Sequence, residues 1–313
     1  MGGWRAAATA LVAVLLGANP APAPAYETDQ FTNRLAPLPD STAALDRHAN
    51  DALILIVARW RGPRDEARMV DLVYRRLGGL HWVDHIEEWA MTAPEVARLP
   101  TPRHESIYSG HSLRAARVTK LFGVGATIRV NGVLVGTDKL GHFYSQGRKF
   151  YKRWHKHGDE AAAAAHSAFT ERAIFGQFTT GDYSNADLVA NYEGHRFYRA
   201  LFEDGINGDK PAILRWEHGR WVIQRPFTFA DHVSEYWDEA LQPNDFDRWL
   251  KPSMQARFLD YCDQYHADPA AWTIAPGRDA ELQARYAQLQ LRDTRDMRLP
   301  NLCVDPGVAS AAH

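Results

Sequence analysis

From Ser41 onward apolar residues recur at helical spacing, with Ala44, Leu45, Ala52, Leu55 and Ile56 on one stripe and His48 and Arg59 in step with them. This pattern predicts a first helix. A second follows Pro63 and stops at Gly78-Gly79, and a third runs from about 80 to 91. Residues 26–39, with Pro37 and Pro39, read as an extended arm, and 92–125 as irregular. The period then changes. Thr127-Ile128-Arg129-Val130 and Val133-Leu134-Val135 flank Asn131-Gly132, a pair that tolerates the positive φ of a type I′ turn and predicts a hairpin. A second hairpin is expected at 213–216 and 221–224, turning near His218-Gly219.

Helical spacing returns over 138–157, 159–175 and 185–204, with Gly158 and Gly205 where C-terminal caps belong. Ser184-x-x-Asp187 resembles a capping box. Further helices fit 229–241, 253–265 and 279–291. The expected fold is mainly α: a single multi-helix globular domain over 26–313 with two minor β-hairpins. Its core lies at about 126–204, and a C-terminal segment of about 226–303 wraps it.

The first 25 residues predict a secretory signal peptide. Arg5 gives a positive start, Ala6 to Gly17 an apolar run, and Ala23-Pro24-Ala25 a small-residue exit site before Tyr26. That run is too short to span a bilayer, which takes about 20 residues. No later stretch reaches 18 apolar residues, so no transmembrane segment is expected after cleavage. The expected location is periplasmic or secreted. In such an oxidising compartment the only two cysteines, Cys262 and Cys303, suggest a disulfide, the alternative being two buried thiols. With 36 Lys and Arg against 38 Asp and Glu, mixed along the chain, no basic stripe marks a nucleic-acid partner.

Candidate chemistry concentrates in two segments. In 136–147, Asp138, His142, Ser145 and Gln146 share a face of the expected helix, and Gly141 and Gly147 are poor helix formers. In 184–198, Asp187, Asn191, Gly194, His195 and Tyr198 make a matching stripe. Between them a helix carries His166 and Glu171. Should the three helices pack together, two carboxylates beside a histidine would suit a metal or general acid/base chemistry. His142, Glu171 and Asp187 are the catalytic candidates. Asp138, Lys139, Gln146 and Asn191 are candidates for binding substrate, and His142, Asp138 and Glu171 for holding a divalent metal. The competing expectation is a buried polar network that only locks helices together.

The pattern Asp138-Lys139-x-x-His142-Phe143, then Glu171, then Asp187-x-x-Ala190-Asn191-x-x-Gly194, resembles the VanZ-like and YfiM-like bacterial envelope proteins. The resemblance covers about 136–196. It implies an envelope setting more than a reaction.

Three weaker clusters complete the reading. His81, His85 and Glu88 share a helix face that suits a metal, without the HExxH order. Arg103-His104-Glu105-Ser106 and Ser109-Gly110-His111-Ser112 offer serine and histidine in a loop, with no G-x-S-x-G elbow. His232 and Glu235 could join a metal site from an acidic, aromatic helix. The many aromatic side chains at helical spacing read first as core, and they also suit glycan or lipid contact. The sequence therefore supports two functions: an exported envelope hydrolase or transferase with a pocket around His142, or a non-catalytic binding or scaffold protein.

Overall fold

A computed structural model describes residues 27–79, 83–111, 124–172 and 182–304. The fold is mainly helical with small antiparallel sheets. The signal-peptide reading of 1–25, and the part of the third expected helix at 80–82, lie outside the described residues.

Helix α1 spans Thr42–Arg59, α2 Glu66–Leu77 and α3 His85–Thr92. Asp65 starts α2 by accepting the Arg68 N–H. Strand β1 (Arg98–Leu99) pairs with β2 (Thr127–Val130), which pairs with β3 (Val133–Gly136) through the expected Asn-Gly turn. Asn131 and Gly132 both have positive φ, 51° and 78°. The chain then enters α4 (Asp138–Gly141), one π-helical turn (His142–Gln146) and α5 (Gly147–His157). Gly158, at φ 69°, closes α5 in the left-handed conformation. Helix α6 (Glu160–Thr170) starts on the Asp159 side chain, and α7 (Asn185–Ala200) on that of Ser184. Strands β5 (Leu214–Glu217) and β6 (Arg220–Ile223) form the second hairpin, turning at His218 and Gly219. A short β4 (Asp182–Tyr183) pairs with β7 (Asp245–Phe246). The C-terminal part holds α8 (Lys251–Leu259), α9 (Cys262–Ala267), α10 (Pro276–Arg285) and α11 (Leu299–Leu302).

Two expectations need correction. The stretch 229–241 is not a regular helix but two 3₁₀ turns, Phe229–Asp231 and Glu235–Trp237. Side chains there bond the local backbone: Thr228 Oγ1 accepts the Ala230 N–H and Asp238 Oδ1 that of Ala240, which competes with the helical ladder. The helix expected at 138–157 is interrupted by the π turn, where Gly147 N–H donates to the His142 carbonyl.

α7 is buried along nearly its whole length, in the middle of the main core. Phe143, Phe197, Phe227, Phe229 and Trp237 meet there in tilted and edge contacts. A second apolar cluster gathers Phe31, Phe246, Met254, Phe258, Tyr261, Trp272 and Leu299. Beside it, the Cys262–Cys303 disulfide ties α9 to the end of α11.

A carboxylate-ringed lysine beside a reachable histidine

The site exists because α5 and α7 cross with backbone against backbone. A Cβ added at Gly194 would sit 1.9 Å from the Phe143 carbonyl oxygen, and one at Gly147 would sit 2.6 Å from Gly194 Cα. Only glycine at both positions allows this approach. It lays the π turn along the middle of α7 and sets α4 beside its first turn. Tyr198 also donates from its hydroxyl to the Tyr144 carbonyl in the π turn at 2.9 Å.

On the inner side lies Lys139, fully buried. Its Nζ is 2.7 Å from Asp138 Oδ2, 2.6 Å from Asp187 Oδ1 and 2.6 Å from Glu239 Oε1. The ammonium donates hydrogen bonds to Asp138 and Glu239, while Asp187 Oδ1 meets it as an ion pair. The ring is itself held: Thr28 Oγ1 donates to Asp138 Oδ1 at 3.2 Å, and Ser184 Oγ to Glu239 Oε1 at 3.0 Å. Gly136 makes room for this, since a Cβ there would collide with Thr28 and Asp138. Burial pushes the Glu239 carboxyl up to about 8, against the opposing pull of Lys139.

On the outer side lies His142, with 19% of its side chain exposed. Asn191 orients it. The Asn191 amide Nδ2 donates to Ser167 Oγ at 3.1 Å, which leaves its Oδ1 to accept from His142 Nδ1 at 3.0 Å. The ring nitrogen Nε2 then faces Asp187 Oδ2 at 3.2 Å. Asp187 therefore bridges the two sides, one oxygen on Lys139 and the other on His142. Burial acts to raise its carboxyl, but His142 and Lys139 prevail and hold it below its usual value. Glu171 completes the outer group: one ligand atom each from His142, Glu171 and Asp187 lie within 4.8 Å of one another. Burial, and then the charges of Asp187 and Asp182, push the Glu171 carboxyl well above its usual value.

The expected site residues are thus brought together, with two changes of place. Asp138 faces Lys139 rather than His142, and Asp187 stands with His142 and Glu171 instead. The π turn also separates residues that a continuous helix would align. Ser145 donates to Asp84 Oδ2 at 2.5 Å, on another side of the bundle, while Gln146 lines a cleft with Asn191 and Glu171.

Several partners were not singled out from sequence. Glu27 and Thr28 arrive from the N-terminal arm, Glu239 from the irregular 229–241 stretch, and Ser167 from α6. Asp84 and Glu87 turn inward from the start of α3; burial lifts Asp84 to about 7 and Glu87 well above its usual value. Their neighbours His85 and Glu88 are exposed, and His81 lies outside the described residues. His111 bonds the Ile107 carbonyl and Ser253, while Ser106 Oγ bonds the Arg103 carbonyl; Ser112 lies outside the described residues. His232 and Glu235 diverge: His232 is buried on Glu193, and Glu235 pairs with Arg278. Comparison with family models, curated proteins and solved structures gives no match to this chain.

Proposed function

We propose that His142, Glu171 and Asp187 hold a divalent transition metal, and that the protein is an exported envelope hydrolase or transferase acting on a lipid or glycan through this site. The observation that carries the reading is the orientation of His142. With Nδ1 committed to Asn191 Oδ1, the other ring nitrogen, Nε2, is aimed at a carboxylate oxygen 3.2 Å away. A proton on Nε2 makes this contact an ion pair, and a bound cation would take the place of that proton between the same two atoms. The spacing suits a cation: ligand atoms about 2.1 Å from a metal, at angles between right and tetrahedral, stand about 3.0–3.4 Å apart. Asn191 then plays the outer partner that metal-bound histidines use to fix their ring. The Asp138–Asp187–Glu239 group is not a second such site, because Lys139 already supplies its cation.

A metal here would polarise a substrate oxygen and bring the pKa of a bound water near 7. The chain's own contributions are orientation of the ring by Asn191, an acid at Glu171 that burial biases toward its protonated form, and a negative charge at Asp187 that His142 and Lys139 favour. The Cys262–Cys303 disulfide agrees with an oxidising envelope location.

A second reading has support of its own. The ring around Lys139 is closed by ion pairs and hydrogen bonds, as a polar lock between helices and the N-terminal arm would be. Metal content of the full chain purified without chelator, beside His142→Ala, separates the two. About one equivalent of transition metal in the parent, lost in the variant with the melting temperature kept, is the expected result. Metal in neither, with a large loss of stability in the variant, would leave only the lock.

A further inference from the structure

The cleft beside His142 has an acidic floor and a basic edge. Glu171 and Asn191 form the floor, Ser167 and Gln146 flank it, and Lys149 and His166 stand at the opening, both exposed. Lys149 and Arg153 are four residues apart on α5 and so share a face. Helix α6 packs alongside α5, which sets His166 near both. Burial, and then the Arg153 and Lys149 charges, hold the His166 imidazole below its usual value. The enclosed part of the cleft is about 30 Å³. That is room for about two waters, and too little for a sugar ring or an acyl chain.

We propose that this cleft receives a phosphoryl group, one oxygen reaching the cation held by His142, Glu171 and Asp187 and the others meeting Lys149 and Arg153 at the rim. The inference rests on the cation reading above and names the ligand class for the same site. A neutral ester gains little from Lys149 at the opening and Arg153 near His166, whereas a phosphate monoester or diester is drawn to their positive charge. It also offers charged oxygens pointing in different directions, where a carboxylate offers two in one plane. The size of the cleft requires that only a small charged head enters, the rest of the molecule lying outside. The acidic floor also imposes an order. Without the cation, the negative charge of Asp187 beside Glu171 opposes an anion, so the phosphoryl group binds only to the metal-loaded protein.

The test uses the full chain loaded with Mn²⁺, beside a Lys149→Met/Arg153→Gln variant. Phosphorus relaxation of inorganic phosphate and of glycerol phosphate reports how near phosphorus comes to the bound manganese. Enhanced relaxation in the parent is expected, with affinity about tenfold weaker in the variant and Mn²⁺ binding unchanged. Sedimentation with phosphatidylcholine vesicles, with and without phosphatidic acid, distinguishes a lipid headgroup from a soluble phosphoester, and either source supports the class. Manganese bound without enhanced phosphorus relaxation, relaxation indifferent to the variant, or acetate competing as well as phosphate would overturn the phosphoryl assignment and leave the cation site standing. Failure of the parent to bind Mn²⁺ overturns both.

Discussion

Lys139 is the residue on which the inner side of the site turns. An ammonium taken out of water costs several kcal/mol, offset here by the carboxylates of Asp138 and Asp187 at 2.7 and 2.6 Å and by a hydrogen bond to the Glu239 carboxyl at 2.6 Å. Removing one member of such a set leaves the others as buried, unpaired charge. Lys139→Met should therefore cost about 3–5 kcal/mol in urea unfolding, although the methionine fills similar space. Glu239→Gln should cost much less near pH 6, because the Glu239 carboxyl, lifted to about 8, is already neutral there. Equal losses from the two substitutions would mean that Glu239 is ionised and that the ring holds another positive charge. At this scale the sequence was informative only where helical spacing applied. Asp138 and His142 are one turn apart, as are Asp187 and Asn191, and α4 and α7 bring the pairs face to face. Glu27 and Thr28 come from an arm with no period, and Glu239 from a stretch whose helical spacing does not describe its backbone, so spacing did not signal that Thr28 reaches Asp138 or that Glu239 reaches Lys139.

The two glycines at the α5–α7 crossing decide whether those residues meet at all. Phe143 O and the Gly194 backbone cannot retreat as a flexible side chain would, and a methyl at Gly194 would lie 1.9 Å from that oxygen. Gly194→Ala should cost about 3 kcal/mol or more in thermal unfolding, at the upper end of what overpacking does. Gly277→Ala is the control. Its added methyl meets nothing within 4 Å, and it lies in the first turn of α10. That change should be neutral or stabilise by up to about 1 kcal/mol through helix propensity. Similar outcomes at the two positions would show that α5 and α7 do not cross this closely. Elements with a cap or turn signal were legible: Asn131-Gly132, Gly158 and Ser184 all stand where their chemistry predicts. The π turn was not legible, because one extra residue in a turn leaves composition and periodicity almost untouched while rotating every later side chain. The 229–241 stretch misled for a different reason. Its apolar residues have helical spacing, but Thr228 and Asp238 give the backbone other partners.

At the scale of the whole molecule, the interior carries more acid than base. Burial raises Glu27, Glu87, Glu171 and Glu239 together with Asp84, and Lys139 is the fully buried ammonium among them. The consequence for stability has a definite sign. In the unfolded chain these carboxyls titrate near 4 to 4.5, whereas in the folded chain they keep their protons longer, to about 7 at Asp84 and about 8 at Glu239. The folded state then holds more carboxyl protons than the unfolded state between those limits, while His48, His166, His195 and His232, held below their usual values by burial, offset this up to about pH 6.5, so the metal-free protein should lose stability as pH rises from about 6.5 to 8, by a few kcal/mol. Asp187, held below its usual value, works the other way, but its contribution disappears only in acid below about 4. A divalent cation on Glu171 and Asp187 favours the ionised carboxyls, so the same series with Mn²⁺ should be flatter, with the gap between the two curves widening toward pH 8. Glu239→Gln should flatten the metal-free curve without closing that gap, since Glu239 touches Lys139 and not His142. Chemical denaturation at pH 5, 6.5 and 8, with and without the ion, measures all three slopes. A metal-free protein whose stability rises from pH 6.5 to 8 would show that the buried acids are ionised and matched by positive charge, which would remove the electrostatic reason for a cation beside His142.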